Sequence, residues 1–199
     1  MGRSPATRRK RDAAAPRERV LASALRLFTR HGYFNTSVHD IARHAGVSIG
    51  SIYHHFQDKE DIAHALYADL LARMVGRIEQ IRAVHTTARD RCRTLMVQLF
   101  RITEEQPEAM EFMLYAKHRE FLPSATPVCS SKPFAMMREM VREGMERGEI
   151  RSMDPMIAST CLFGGAMRLI TARLDGVLRE PLPAQLEAVW ECSWRAVAV

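Results

Sequence analysis

One glycine between two short apolar repeats constrains this chain more than any other feature. In TSVHDIARHAGVSIGSIYHHFQDKEDI, residues 36–62, Val38, Ile41, Ala42 and Ala45 recur at helical spacing over barely two turns. Ile49, Ile52, Tyr53 and Phe56 repeat the pattern after Gly46. A helix that stops at a glycine leaves through a left-handed backbone, which side chains with a Cβ rarely adopt. The spacing therefore predicts two short helices joined by a tight turn, with Ala45 small enough for close approach and Val47 and Ile52 filling the core between them.

The flanks extend the pattern. Val20, Leu21, Ala24, Leu25, Leu27 and Phe28 form the face of a preceding helix that ends near Gly32. Ile62, Leu66, Leu70, Met74, Ile78 and Ile81 form the inner face of a following one. Start signals agree: Ser37 stands three residues before Asp40, an acidic capping box; Ser48 can cap the third helix; Asp58 can cap the fourth, with Glu60 and Asp61 in its first turn. Two short helices braced by a longer one make a helix-turn-helix. Gly50 and Ser51 are small enough for backbone to approach DNA, and an exposed helix start offers amide hydrogens to phosphate.

Charge points the same way. Residues 1–60 hold 11 Lys or Arg against five Asp or Glu, whereas residues 61–199 hold 18 of each. A basic head on a neutral body suits nucleic acid. The cluster Arg8, Arg9, Lys10, Arg11 reads either as an arm along phosphates or the minor groove, or as a solvated tail. No apolar run approaches the ~20 residues of a membrane span. The basic N-terminus has no apolar segment behind it, so it is no secretory signal, and a soluble cytoplasmic protein is expected. Cys92, Cys129, Cys161 and Cys192 are too scattered for a metal motif and are expected as buried thiols. His54 and His55, adjacent on a helix, point about 100° apart and do not form a metal face. No metal or other cofactor is expected.

The rest of the chain also reads as helices, over about 87–105, 108–121, the amphipathic PFAMMREMVREGMERGEI, 155–175 and 183–198, with no strand pattern. Asp154-Pro155 is a strong helix start, and PSATPVCSSKP is a loop by composition. The fold class is all-α.

The stretch 36–62 resembles the DNA-binding signature of the tetracycline-repressor-like (TetR) family, with good likeness over Arg17–Leu66. The resemblance implies a flexible basic arm at 1–15, a helix-turn-helix DNA-binding domain at 16–62 and a helical ligand-binding and dimerisation domain at 63–199. It also implies roles. Thr36 and Ser37 match phosphate contacts at the start of the second helix; Tyr53, His54 and Lys59 match residues that grip the DNA backbone. Ser48 and Ser51 sit at the start of the recognition helix, Ser51 against phosphate or base, and His39, Ile49 and Gly50 lie at or near base edges. Hydroxyl, phenol and ammonium groups suit phosphate oxygens. Ile49 stands where many relatives carry lysine and can offer a base only apolar contact.

Nine of the twelve methionines lie between Met110 and Met167. They suit either an irregular apolar cavity or an ordinary core. Under the first reading Met113, Tyr115, Met137, Met140 and Phe163 line a pocket for a small apolar or amphipathic effector, with His118 and Arg119 nearby. Gly164 and Gly165 inside a helix, and Trp190 and Trp194 four residues apart, fit a homodimer through the last two helices, as in relatives, or close packing within one chain. The expected function is a transcriptional regulator, a repressor released by its effector from a near-palindromic operator. Control by a partner protein, activation, or non-specific DNA packaging are alternatives. No nucleophile–base pair, phosphate loop or metal spacing supports an enzyme, so no catalytic residue is assigned.

Overall fold

The computed structural model describes residues 5–116, 118–122 and 127–199; the side chains of residues 5–15 and of Arg119 fall outside that description. The described residues form helices α1 (Pro5–His31), α2 (Val38–Ala45), α3 (Ile49–His55), α4 (Lys59–Val84), α5 (Ala88–Glu105), α6 (Pro107–Tyr115), α7 (His118–Phe121), α8 (Lys132–Glu146), α9 (Pro155–Leu174) and α10 (Leu186–Arg195). They contain no strand, only an isolated bridge between Ile150 and Ala198. The all-α expectation holds. The chain divides into two compact units, Met1–Leu70 with Glu111–Ala125, and Leu71–Met110 with Thr126–Val199. The first unit thus runs past residue 62 and includes a second segment.

In the first unit Val20, Leu21, Ala24 and Phe28 of α1 pack with Ile41, Ala42 and Ala45 of α2, Ile52 of α3, and Ile62, Ala63, Leu66 and Tyr67 of α4, all buried. Leu25 and Leu27, expected on the same face, are half-buried. Phe56 caps α3 and is buried, with the Arg17 guanidinium 5.6 Å from its ring centre. Helix α1 reaches back to Pro5, through the segment expected as an arm; the side chains of Arg8–Arg11 lie outside the described residues. Residues 111–122 join this unit through rings: Phe112 stacks on Phe28 at 6.4 Å and Phe121 on Tyr33 at 4.3 Å. The helix expected over 108–121 is broken into α6 and α7 after Tyr115.

In the second unit α5 is the central helix, burying Cys92, Leu95, Met96, Leu99 and Phe100 and packing on α8, α9 and α10. Thr87 caps it, accepting from the Asp90 N–H at 3.0 Å, and Glu149 accepts the Ala88 N–H at 2.8 Å. Helix α8 crosses the start of α5 at Gly144, where a Cβ would stand 2.6 Å from that of Ala88 and 2.8 Å from Ile150 Cδ1. Beside it Glu143, largely buried, accepts from Arg82 at 2.5 Å and Arg91 at 2.7 Å. Glu104 takes both prongs of Arg173, at 2.9 and 3.0 Å, and the Leu182 N–H at 2.8 Å.

Asp154 caps α9 as its sequence predicts, accepting from Met156 and Ile157 N–H. Gly165 lets α9 approach α10, since a Cβ there would lie 3.3 Å from Val189 Cγ2. Trp190 is buried, and Trp194 stacks on it at 5.4 Å. Packing within the chain therefore explains Gly165 and Trp190. The last helix is shorter than expected: Leu182–Gln185 forms a 3-10 turn before α10. Contrary to expectation, helix α9 is long and apolar enough, by length and composition, to cross a membrane; here it packs against α5, α8 and α10. One cysteine expectation is corrected. All four are free thiols, but only Cys92 is buried, because the other three fall on outward helix faces or in the segment before α8.

Candidate nucleic-acid interface

The turn and both caps of the helix-turn-helix form as the residues dictate. Gly46 adopts φ +63°, and its N–H closes α2 on the Ala42 and Arg43 carbonyls. The Ser37 hydroxyl accepts from the Asp40 N–H at 3.1 Å, and the Asp40 carboxylate accepts from the Ser37 N–H at 3.1 Å and from the Ser37 hydroxyl at 2.5 Å. These Ser37 bonds hold the Asp40 carboxyl below its usual range. The Ser48 hydroxyl accepts from the Ser51 N–H at 3.1 Å. Asp58 accepts from the Asp61 N–H at 2.8 Å, and Asp61 reaches back to the Gln57 N–H at 3.0 Å.

These caps fix which side of α3 faces outward. Ile52 is buried at 1% exposure, whereas Tyr53 is 56% exposed. Ser48, Gly50 and His54 are also exposed, and Ile49 and Ser51 are half-buried. A Cβ on Gly50 would meet no atom nearer than 4.0 Å, so its surface is open to a close neighbour. On α2, Ser37 and His39 are exposed. Helix α3, IGSIYHH, contains no Lys or Arg. Its outer face offers hydroxyl, phenol and imidazole groups, which can donate to phosphate or meet base edges without fixed charge.

Two expected contacts are placed differently. Thr36 is buried at 3% exposure and donates its hydroxyl to the Gly32 carbonyl at 2.9 Å, so it ties α1 to α2 and presents no group to phosphate. Lys59 turns its ammonium inward. It donates to the Tyr33 carbonyl at 2.9 Å and sits 4.2 Å from the Tyr33 ring centre. Burial lowers its pKa and raises that of the Tyr33 phenol. A lysine four carbons long at a helix start reads in sequence as a solvated cation; the carbonyl beneath it comes from a loop 26 residues earlier.

Arg43 lies on the same exposed side and is not among the expected contacts. Its side chain is 80% exposed, four residues beyond His39 on the same face of α2, and it pairs with Asp40 at 3.5 Å. That i, i+4 spacing beside a proposed base contact was the available signal.

The five candidate effector residues divide between the units. Met137, Met140 and Phe163 are buried in the second unit. Met113 and Tyr115 belong to the first, where Tyr115 is 46% exposed and lines a pocket with residues of α1, α6 and α7. Among the described residues no group of three or more His, Cys, Asp or Glu is placed to hold a metal.

The fold agrees with known proteins. Residues 20–66 match the family of bacterial regulatory proteins called tetR, and residues 67–199 match the tetracyclin-repressor-like C-terminal domain. The HTH-type transcriptional repressor KstR2 of Mycolicibacterium smegmatis is 29% identical over 141 residues, 69% of each chain. A TetR family transcription regulator from Marinobacter aquaeolei VT8 superposes with a TM-score of 0.78 at 25% identity, over 96% of this chain and 98% of that one. The transcriptional regulator FadR from Bacillus subtilis, solved in complex with stearoyl-CoA, gives 0.73 at 22% identity, over 88% and 96%. With an outward-facing recognition helix and a match running from residue 20 to the last residue, the chain belongs to the tetR family of bacterial regulatory proteins, and is a DNA-binding transcription regulator rather than an enzyme.

Proposed function

We propose that this regulator is a repressor that binds a near-palindromic operator as a homodimer in the bacterial cytoplasm and leaves it when a small apolar or amphipathic molecule binds. The observation that carries the reading is α3 itself. Its buried Ile52 and exposed Tyr53, with Ser48, Gly50 and His54 beside it, leave one capped helix face free for a major groove. Tyr53, His54 and Ser37 hold phosphates; Ile49, Gly50, Ser51 and His39 meet the bases.

The dimer is assigned to α9 and α10. Met156 and Ile157 at the start of α9 are 53% and 58% exposed, and Cys161, Ala188 and Cys192 are exposed along the two helices. Small and apolar residues there suit close packing of a second copy. A twofold axis would set two recognition helices roughly 34–36 Å apart, one turn of DNA. The effector releases the operator only if it prefers the conformation that does not bind DNA.

Selection of random duplexes by the purified protein at near-physiological salt, followed by sequencing, tests the reading. A shared near-palindrome supports it. Enrichment of no sequence, with binding that collapses as salt rises, overturns it in favour of charge-driven packaging. A long-chain acyl-CoA is the first effector to add, since the Bacillus subtilis FadR structure holds stearoyl-CoA. Release from the selected operator supports an amphipathic effector of that class; unchanged affinity removes that class.

A further inference from the structure

The outer face of α1 carries a row of arginines. Arg19, Arg26 and Arg30 are exposed, and their i, i+7, i+11 spacing holds them within about 40° of one another around the helix. At 1.5 Å per residue the row is about 16 Å long. Among the described residues none of the three has an ion pair or a hydrogen bond. Glu18 is the one acidic residue in the stretch 17–31, and it lies about 100° around the helix from the row.

One contact fixes where this row sits. Ser23, four residues after Arg19 and three before Arg26, is buried, and its hydroxyl lies 3.0 Å from His44 Nδ1. The row therefore runs along the side of α1 that abuts the last turn of α2. There His44 and its neighbour Arg43 are exposed. Arg43 keeps an ion pair to Asp40 and follows His39 by four residues on the DNA-reading side of α2. The basic surface thus continues from a proposed base contact, across the end of α2, onto α1.

Guanidinium groups take phosphate oxygens through paired hydrogen bonds. One strand of duplex DNA presents a phosphate every ~3.4 Å of axis, so the row spans about five. Ala22 and Ser23 stand between the arginines, and neither is an apolar anchor of the kind a lipid surface takes. We infer that the face of α1 bearing Arg19, Arg26 and Arg30 is a second DNA surface of this regulator, holding phosphate backbone beyond the groove that α3 reads. Phosphates carry no sequence information, so this face adds affinity and footprint and leaves sequence preference unchanged. It requires only that the chain binds DNA, and does not depend on the dimer, operator or effector proposed above.

Anisotropy titrations of an arbitrary duplex of about 40 base pairs, over a range of salt concentrations, test the face. The full chain is compared with Arg26→Ala/Arg30→Ala and with Arg26→Lys/Arg30→Lys, changes at exposed positions away from the core. In the alanine variant the fall of log affinity with log salt is expected to be shallower by about 1.8, about 0.9 for each lost phosphate contact. Its affinity at low salt is expected to be about 10- to 100-fold weaker. The lysine variant keeps the charge and is expected to restore the slope. An alanine variant that melts like the parent and keeps its slope and affinity overturns the proposal. So does a slope that lysine does not restore, which would assign the loss to folding. Loss of binding to phosphatidylglycerol vesicles, with DNA binding unchanged, overturns it in favour of an anionic membrane. Because the duplex carries no selected sequence, failure here leaves the operator reading intact, and failure to find an operator leaves this one intact.

Discussion

The Lys59 ammonium donates to the Tyr33 carbonyl at 2.9 Å and lies 4.2 Å from the centre of the same residue's ring. One side chain thus fastens the start of α4 to the loop between α1 and α2. A hydrogen bond from a charged donor and a cation–π contact together contribute about 1–3 kcal/mol at a partly buried site.

That geometry gives Lys59 an indirect role in DNA binding. Lys59→Ala is expected to lower the unfolding free energy by about 1–3 kcal/mol and to weaken operator binding, without changing how steeply affinity falls with salt. Anisotropy titrations over a range of salt concentrations check this. A slope smaller by about 0.9 would place the ammonium on a phosphate and sink the assignment. Tyr53→Phe, which leaves Lys59 untouched, is expected to weaken binding to all sequences alike.

The reciprocal bonds of Ser37 and Asp40 predict a stability effect that is separable from DNA contact. Ser37→Ala removes the cap of α2 and is expected to cost about 1 kcal/mol in denaturant unfolding. The Asp40 carboxyl should then titrate nearer its ordinary value, because the Ser37 hydroxyl is the main group holding it down. Side-chain carboxyl shifts followed by NMR against pH would show this. An unmoved Asp40 would mean that the capping box is not formed in solution.

Gly144 and Gly164 sit in helices for different reasons. Gly144→Ala forces a Cβ to within 2.6 Å of Ala88 and is expected to destabilise by about 1–3 kcal/mol through overpacking. A Cβ on Gly164 would meet nothing closer than 3.9 Å, so Gly164→Ala is expected to raise stability by up to about 1 kcal/mol. Melting temperatures moving in the same direction would refute this placement of α8 on α5.

His118 makes the first unit sensitive to acid. Among the described residues its Nε2 is buried without a hydrogen-bond partner, and the ring lies among Tyr67, Phe112 and Phe121 at 4.7–5.7 Å. Burial lowers its pKa below the ordinary 6.5. Between the folded and unfolded values the unfolded chain binds the extra proton. The stability due to neutral His118 is therefore complete above about pH 6.5 and is lost as the pH falls through the folded value. His118→Phe is expected to flatten unfolding free energy against pH in that window. An unchanged profile would exclude His118 as the cause.

Thiol reactivity separates core from proposed interface. Burial pushes the Cys92 thiol up to about 12, so it should resist alkylation while the protein stays folded. Cys129, Cys161 and Cys192 are exposed and should react. If α9 and α10 form the dimer, raising the protein concentration is expected to protect Cys161 and Cys192 and to spare Cys129. Mass spectrometry of labelled peptides measures each site. Equal labelling of the three at every concentration would count against that interface.

Most of the helix-turn-helix was legible in the residues because its determinants are local. Ser37 and Asp40 are three residues apart, Gly46 ends a helix by its own backbone, and the spacing of Ile49 and Ile52 sets the inner face of α3. The cap at Asp154 followed the same logic. What lay beyond the sequence depends on groups far apart in the chain. The carbonyl beneath Lys59 belongs to Tyr33, and the oxygen that takes the Thr36 hydroxyl is at a helix end; both residues look like surface donors until the loop closes on them. Met137, Met140 and Phe163 have the composition of a cavity wall and are buried in the second unit, and burial suits a core and the wall of an enclosed cavity alike. Gly165 and Trp190 read equally well as an interface, and only the approach of α10 to α9 assigns them to packing within the chain. Short-range patterning determined the helices, their caps and the reading head. Tertiary contact decided which polar groups remain available to a ligand, because a donor already satisfied inside the fold has little to gain from a phosphate outside it.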